Sequence, residues 1–196
     1  EGLFNNKDEE TIKNFLQEHL DISKELVIIT DCDRRYPNIF KDLWGKKLIH
    51  QKCLLHLNKL VVKDFGKTKS LVNEYNKYKL LDIFYNRRKE LKFLEKLLKK
   101  QDKINSVDDK EKKKWINAKL HGFRDYVKKM ENKRRRDEQN LPQRPLWKAK
   151  QLFNSLWQQR QLLPKKVKDR LKMIDDNWKF FTAFYLVKNC PATNNA

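Results

Sequence analysis

Apolar residues recur along this chain in two rhythms, and the change from one to the other divides it. In "KDEETIKNFLQEHL", residues 7 to 20, Ile12, Phe15, Leu16 and Leu20 share one helical face, with acids in the first turn where they suit the helix dipole. "ELVIIT", residues 25 to 30, is instead continuously apolar and β-branched, the pattern of a strand covered on both faces. A short helix follows over Tyr36 to Trp44 and ends at Gly45. A second strand is expected in "KLIHQKC", 47 to 53, and a further helix in "LLHLNKLVVKDFG", stopped by Gly66. Strand, helix and strand in so short a stretch form a βαβ unit, which predicts parallel strands joined by a right-handed crossover.

From about residue 67 to 187 the rhythm is that of long amphipathic helix. Ile116, Leu120, Phe123, Val127 and Met130 recur at steps of four and three. Val167, Leu171, Ile174, Trp178, Phe181 and Tyr185 do the same, so both segments are expected in a helical bundle. Breaks are expected near 101 to 109, with Ser106 as an N-cap, and near "NLPQRP", 140 to 145. Tryptophans 115, 147, 157 and 178 are expected in the bundle core. No convincing internal repeat is visible.

Composition gives the second region a partner. The chain has 196 residues, about one domain or one domain with a large insertion, and carries 46 Lys plus Arg against 26 Asp plus Glu, a net +20. Residues 1 to 66 hold 11 basic and 11 acidic side chains, whereas residues 67 to 196 hold 35 and 15. The whole excess therefore lies in the helical region, and its natural partner is a polyanion. "KRRR", Lys133, Arg134, Arg135 and Arg136, is a candidate phosphate contact, although a solvated helix face explains the same run as well. Three cysteines, at 32, 53 and 190, make no disulfide framework in a chain of this size, which suggests a reducing compartment. With no apolar run of membrane-spanning length and no signal-peptide pattern, an intracellular protein without a membrane partner is expected.

The candidate chemistry lies in the first region. Functional groups of open parallel sheets gather at the carboxyl ends of the strands, and Asp31 and Asp33 stand at such an end. A strand-end aspartate presents a carboxylate to Mg²⁺ with little side-chain freedom. Two-metal phosphoryl transfer, however, needs several such carboxylates, and Asp is also a common turn-former and cap. At the end of the second strand stands "CLLHL", with Cys53 and His56 two residues apart. A zinc reading fails for want of a second pair, since Cys32, Cys190, His19, His50 and His121 are scattered. Taken alone, the pair reads as a buried Cys beside a capping or core His.

Taken whole, "TDCDRRYPNIFKDLWGKKLIHQKCLLHL" resembles the catalytic core of DDE-type transposases of the Mutator-like, hAT-like and related insertion-sequence families. These carry a strand-end Asp, a Tyr-containing helix, and a strand ending in Cys or Asp, two residues, and His. "NCPATNNA", 189 to 196, is similar to the Pro-x-Thr-Asn-Asn stretch that in these families leads into the helix with the third catalytic acid, which makes Asn194 and Asn195 motif residues. The resemblance covers residues 25 to 60 and 170 to 196; the helices between match only in kind.

It implies an α/β, mostly helical fold. A partial ribonuclease-H-like core of two parallel strands with flanking helices spans 1 to 66, an all-α insertion domain spans 67 to 187, and the chain returns to the core over 188 to 196. Asp31 is then the second acid of the triad and a ligand for Mg²⁺ or Mn²⁺, and Cys53 and His56 support the site. Asp33 fits less well, because the family's acid directly follows the apolar strand. No strand with an earlier Asp and no Glu after "TNNA" occurs in the sequence. Asp175 and Asp176 are poor substitutes because they interrupt a heptad-like helix, so the chain alone is expected to be inactive. The implied activity is DNA phosphodiester hydrolysis and strand transfer on element ends and target DNA, by a homo-oligomer associated with the nucleoid or nucleus. The rival is a non-enzymatic, basic helical DNA- or RNA-binding module that uses the βαβ piece as scaffold. A helical protein-interaction domain fits the charge excess less well.

Overall fold

The computed structural model describes residues 8–66, 68–104, 108–136, 144–187, 190 and 192. Among these the chain is mostly helical, with one two-stranded parallel sheet, and it divides into two compact units. Residues 1–57 and 176–196 form the first and residues 58–175 the second.

In the first unit, α1 (Glu9–His19) starts at Asp8, whose carboxylate accepts the Thr11 N–H at 2.8 Å and caps a first turn holding Glu9 and Glu10. Strand β1 (Leu26–Thr30) pairs in parallel with β2 (Leu48–Lys52) through α2 (Tyr36–Trp44), in the register Leu26↔Leu48 to Thr30↔Lys52. Pro37 sits in the first turn of α2, where its missing N–H costs no helix bond. Gly45 ends that helix at φ +60°, with its N–H on Lys41 O, a conformation open to glycine at little cost. Ile39, Phe40 and Trp44 of α2 pack with Ile12 and Leu16 of α1 and with Leu26, Ile28 and Leu48 of the strands.

The other face of the sheet differs from the expectation of a strand covered on both sides. Val27 and Ile49, register partners, are 43% and 37% exposed. Cover on this face comes at the far end, where Gln51 accepts the Phe184 N–H at 2.9 Å and sits beside α9 (Trp178–Phe181) and the 3₁₀ turn Ala183–Tyr185.

The second unit holds most of α3 (Leu54–Phe65), then α4 (Leu71–Leu81), α5 (Arg88–Lys103), α6 (Asp109–Arg136), α7 (Leu146–Gln158) and α8 (Lys165–Asp176) up to Asp175. Leu120, Phe123 and Val127 are buried as their spacing predicts, with the Tyr78 and Phe123 rings edge to face at 5.2 Å. Ser106 lies outside the described residues. Asp108 accepts the Lys110 N–H at 2.9 Å at the start of α6, so a capping side chain stands two residues later. Trp147, expected in the core, is 68% exposed, because α7 buries Ala149, Phe153 and Leu156 and leaves position 147 on the opposite face. Arg170 grips Asp64 with two bonds of 2.9 and 2.6 Å, and Lys166 donates to the Asp64 carbonyl.

The two compact units divide at 57/58, within α3, and at 175/176, at the end of α8. The apolar rhythm of residues 167 to 185 runs on through Asn177, but α8 ends at Asp176 and the residues beyond it join the sheet. Periodicity marks which side of a segment is buried, not the partner that buries it.

Candidate functional site at the carboxyl ends of the strands

A parallel pair brings the carboxyl ends of both strands to one edge, and here that edge is polar. Thr30 and Lys52 are register partners, and the Cys53 N–H continues the ladder with a 2.7 Å bond to Thr30 O. Asp31 follows directly and is exposed. Its Oδ1 accepts the Asp33 N–H at 2.9 Å, a local turn that fixes the carboxyl group at the strand tip. Asp33 has another task. Its carboxylate takes Arg35 Nε at 3.0 Å and Nη2 at 2.6 Å, and this guanidinium holds the acid down at about 2. Of the two acids singled out from the sequence, Asp31 is therefore the one not engaged by a guanidinium.

His50 and Lys52 point to the same face as Leu48, following the strand alternation. The His50 imidazole meets the Phe40 and Phe180 rings at 4.8 and 5.0 Å, and its Nε2 shares a 2.8 Å hydrogen bond with Thr30 Oγ1. Burial, aided by the Lys52 charge, pushes it down to about 4. A pH dependence follows. Between about pH 6.5 and 4 the unfolded chain binds a proton that the native chain refuses, so stability is expected to decline as pH falls through that window. The loss should approach about 3 kcal/mol. Replacing His50 with Gln should flatten this part of a plot of unfolding free energy against pH; an unchanged slope in His50→Gln would assign the dependence elsewhere.

Lys52, which the sequence reading passed over, is 3% exposed. Its ammonium donates to Asn177 Oδ1 at 2.9 Å and lies 5.7 Å from the Phe180 ring centroid. Burial pushes its pKa down, while the neighbouring Cys32, Asp33 and Asp31 draw it partly back. The signal was present in the alternation Leu48, His50, Lys52, which sets a lysine on the inward face of an apolar strand. Cys53 is fully buried, and His56 lies in the first turn of α3 with Nδ1 buried and without a hydrogen-bond partner. The Leu54 N–H donates to Ala192 O at 3.0 Å. Asn194 and Asn195 lie outside the described residues, as do the side chains of Arg134, Arg135 and Arg136. Lys133 is exposed on the last turn of α6, and Asp175 and Asp176 are exposed at the end of α8.

The Asp31 carboxylate is hard, exposed and held at its base, which suits Mg²⁺ or Mn²⁺, but it offers at most two of about six oxygens. Among the described residues no three His, Cys, Asp or Glu side chains converge; water and phosphate oxygens commonly complete the shell of Mg²⁺. Comparison with known family models, curated proteins and solved structures returns no match.

Proposed function

We propose that this chain is part of the catalytic core of a DNA transposase with a ribonuclease-H-like sheet, in which Asp31 is one of three metal-binding acids. The supporting observation is the placement of Asp31: an exposed carboxylate, fixed by its own turn, at the carboxyl end of a strand paired in parallel across a helix. Bound to Asp31 and two further acids, Mg²⁺ or Mn²⁺ supplies activation of water and stabilisation of the leaving oxygen in phosphodiester hydrolysis. Thr30 and Cys53 tie the two strand ends together beneath that carboxylate, and Arg35 keeps Asp33 out of competition for the cation. In this proposal a homo-oligomer assembles on the element ends before strand transfer.

The helices supply the phosphate contacts. Lys89, Lys92, Lys96 and Lys99 of α5 and Lys110, Lys113, Lys114 and Lys119 of α6 are all exposed. No helix among the described residues is long and apolar enough to cross a membrane. Each neutralised phosphate releases counterions, so affinity for duplex DNA is expected to drop roughly a thousandfold between about 50 and 200 mM salt if six or more phosphates are engaged. Fluorescence anisotropy with a labelled duplex measures this. Binding that ignores salt, or no binding at low salt, would contradict a DNA-facing role.

Such binding suits the rival reading, a basic module without catalysis, equally well. The deciding experiment incubates DNA, with and without Mg²⁺, with a polypeptide that carries this chain together with the upstream Asp and downstream Glu that the proposal requires. Metal-dependent cleavage and joining is the expected outcome; binding without cleavage favours the module.

A further inference from the structure

The ammonium of Lys52 has more donors than partners. It carries three N–H bonds and places one on Asn177 Oδ1, while the Phe180 ring takes the cation from 5.7 Å. Both partners are uncharged. Asp33, Asp31 and Cys32 act on this buried cation through space, but a neutral amide and a ring are weaker direct partners than an opposite charge with matching hydrogen bonds. The nearby acids offset the charge only in part: Asp33 is engaged by Arg35, and Asp31 is held by its turn and faces solvent. The ammonium also lies at the edge where Asp31 stands, since Lys52 and Thr30 are register partners and Asp31 is the next residue. An anionic substrate approaching Asp31 meets like charge, and Lys52, with the exposed Arg34, is a cation placed to offset it.

We propose that Lys52 is a substrate-phosphate contact, its ammonium receiving a non-bridging oxygen of a DNA phosphodiester beside Asp31. The inference rests on the transposase reading for the identity of the substrate, but it concerns binding without metal and so can fail or stand separately. Phosphate takes the two spare N–H donors, and the Asn177 amide aims the ammonium. Lys52 thus binds and orients, and takes no proton in this role.

The test is a titration of the ¹⁵N-labelled chain with a 5′-phosphorylated thymidine dinucleotide in metal-free buffer. Amide resonances of Asp31, Cys32, Asp33 and Lys52 are expected to shift and saturate, and the lysines of α5 and α6 serve as an internal reference for non-specific binding. Lys52→Met should remove the strand-end shifts and Lys52→Arg should keep them. Asn177→Asp places a carboxylate against the ammonium without changing side-chain size, and should weaken strand-end binding at least tenfold in a folded protein. If Lys52→Met does not fold, Asn177→Asp decides. Inorganic phosphate is expected to give the same pattern more weakly. Strand-end shifts that persist in Lys52→Met or Asn177→Asp, that never arise in the unaltered chain, or that arise with inorganic phosphate and not with the dinucleotide overturn the proposal. Phosphate binding at Lys52 without any Mg²⁺-dependent cleavage would keep this inference and sink the transposase reading; cleavage without the binding would do the reverse.

Discussion

Substituting Met for Arg144 is expected to remove about 3–5 kcal/mol of stability, a large share of the roughly 5–15 kcal/mol that holds a typical domain together. Arg144 is buried in the helical unit and is held by several bonds there, among them one from Nη2 to Asn86 Oδ1. Its backbone N–H reaches Phe84 O at 3.0 Å, its Nε reaches the Asp82 carbonyl at 2.7 Å, and its Nη2 reaches the Asp82 carboxylate at 2.5 Å. Asp82 is buried as well. Burial pushes its pKa up, and the bonds from Arg144 and from the Arg87 N–H work against that push. Methionine fills much of the volume but leaves a carboxyl group in the interior with the Arg87 N–H and no cation. The loss is therefore the penalty of a stranded charge rather than that of a surface ion pair, which is worth about 1 kcal/mol or less. Urea unfolding measures it. The double variant Asp82→Leu with Arg144→Met should be more stable than Arg144→Met alone, because the stranded acid is gone. A loss below about 1 kcal/mol in the single variant would show that water reaches this pair.

How far the molecule was legible beforehand depends on whether local pattern or distant partners decided each feature. The βαβ stretch was local. "LVIIT", the Tyr-Pro start of α2 and the glycine stop at 45 set elements that the structure bounds within a residue or two, and the strands are parallel. Partners beyond the window decided the rest. Val27 looks like a core residue in an apolar run, yet one face of the sheet is bare at Val27 and Ile49, and no pattern within the strand records what covers it. Trp147 looked buried because tryptophan is large and apolar, but the stripe Ala149, Phe153, Leu156 sets the buried face of α7. Asn177 broke a helix whose apolar rhythm runs straight through it, and the residues after it turned to the sheet. At the site, Asp31 was legible from its place after the strand. Lys52 was harder to read, because a lysine near a strand end ordinarily looks solvated; its alternation with Leu48 and His50 points inward, and the register with Thr30 and the bond to Asn177 place it there.

The central claim is that Asp31 acts as a metal-binding acid in DNA cleavage and joining, and Asp31→Asn tests it most directly. Asparagine keeps the size of the side chain and can still accept the Asp33 N–H that forms the strand-tip turn, so the fold should be unaffected. What disappears is the negative charge that a hard divalent cation requires. In a polypeptide that joins this chain to an upstream Asp and a downstream Glu, as the proposal requires, Mg²⁺-dependent strand cleavage should fall by at least about a thousandfold, the scale of about 4 kcal/mol lost from the transition state. Duplex affinity should stay within about twofold across the salt range, since the basic helices are untouched. The measurement compares cleavage rate and duplex affinity of the two proteins side by side. Lost cleavage with retained binding is the predicted result; full Mg²⁺-dependent cleavage by Asp31→Asn, or a coding sequence around the chain that supplies neither an upstream Asp nor a downstream Glu, would contradict the account.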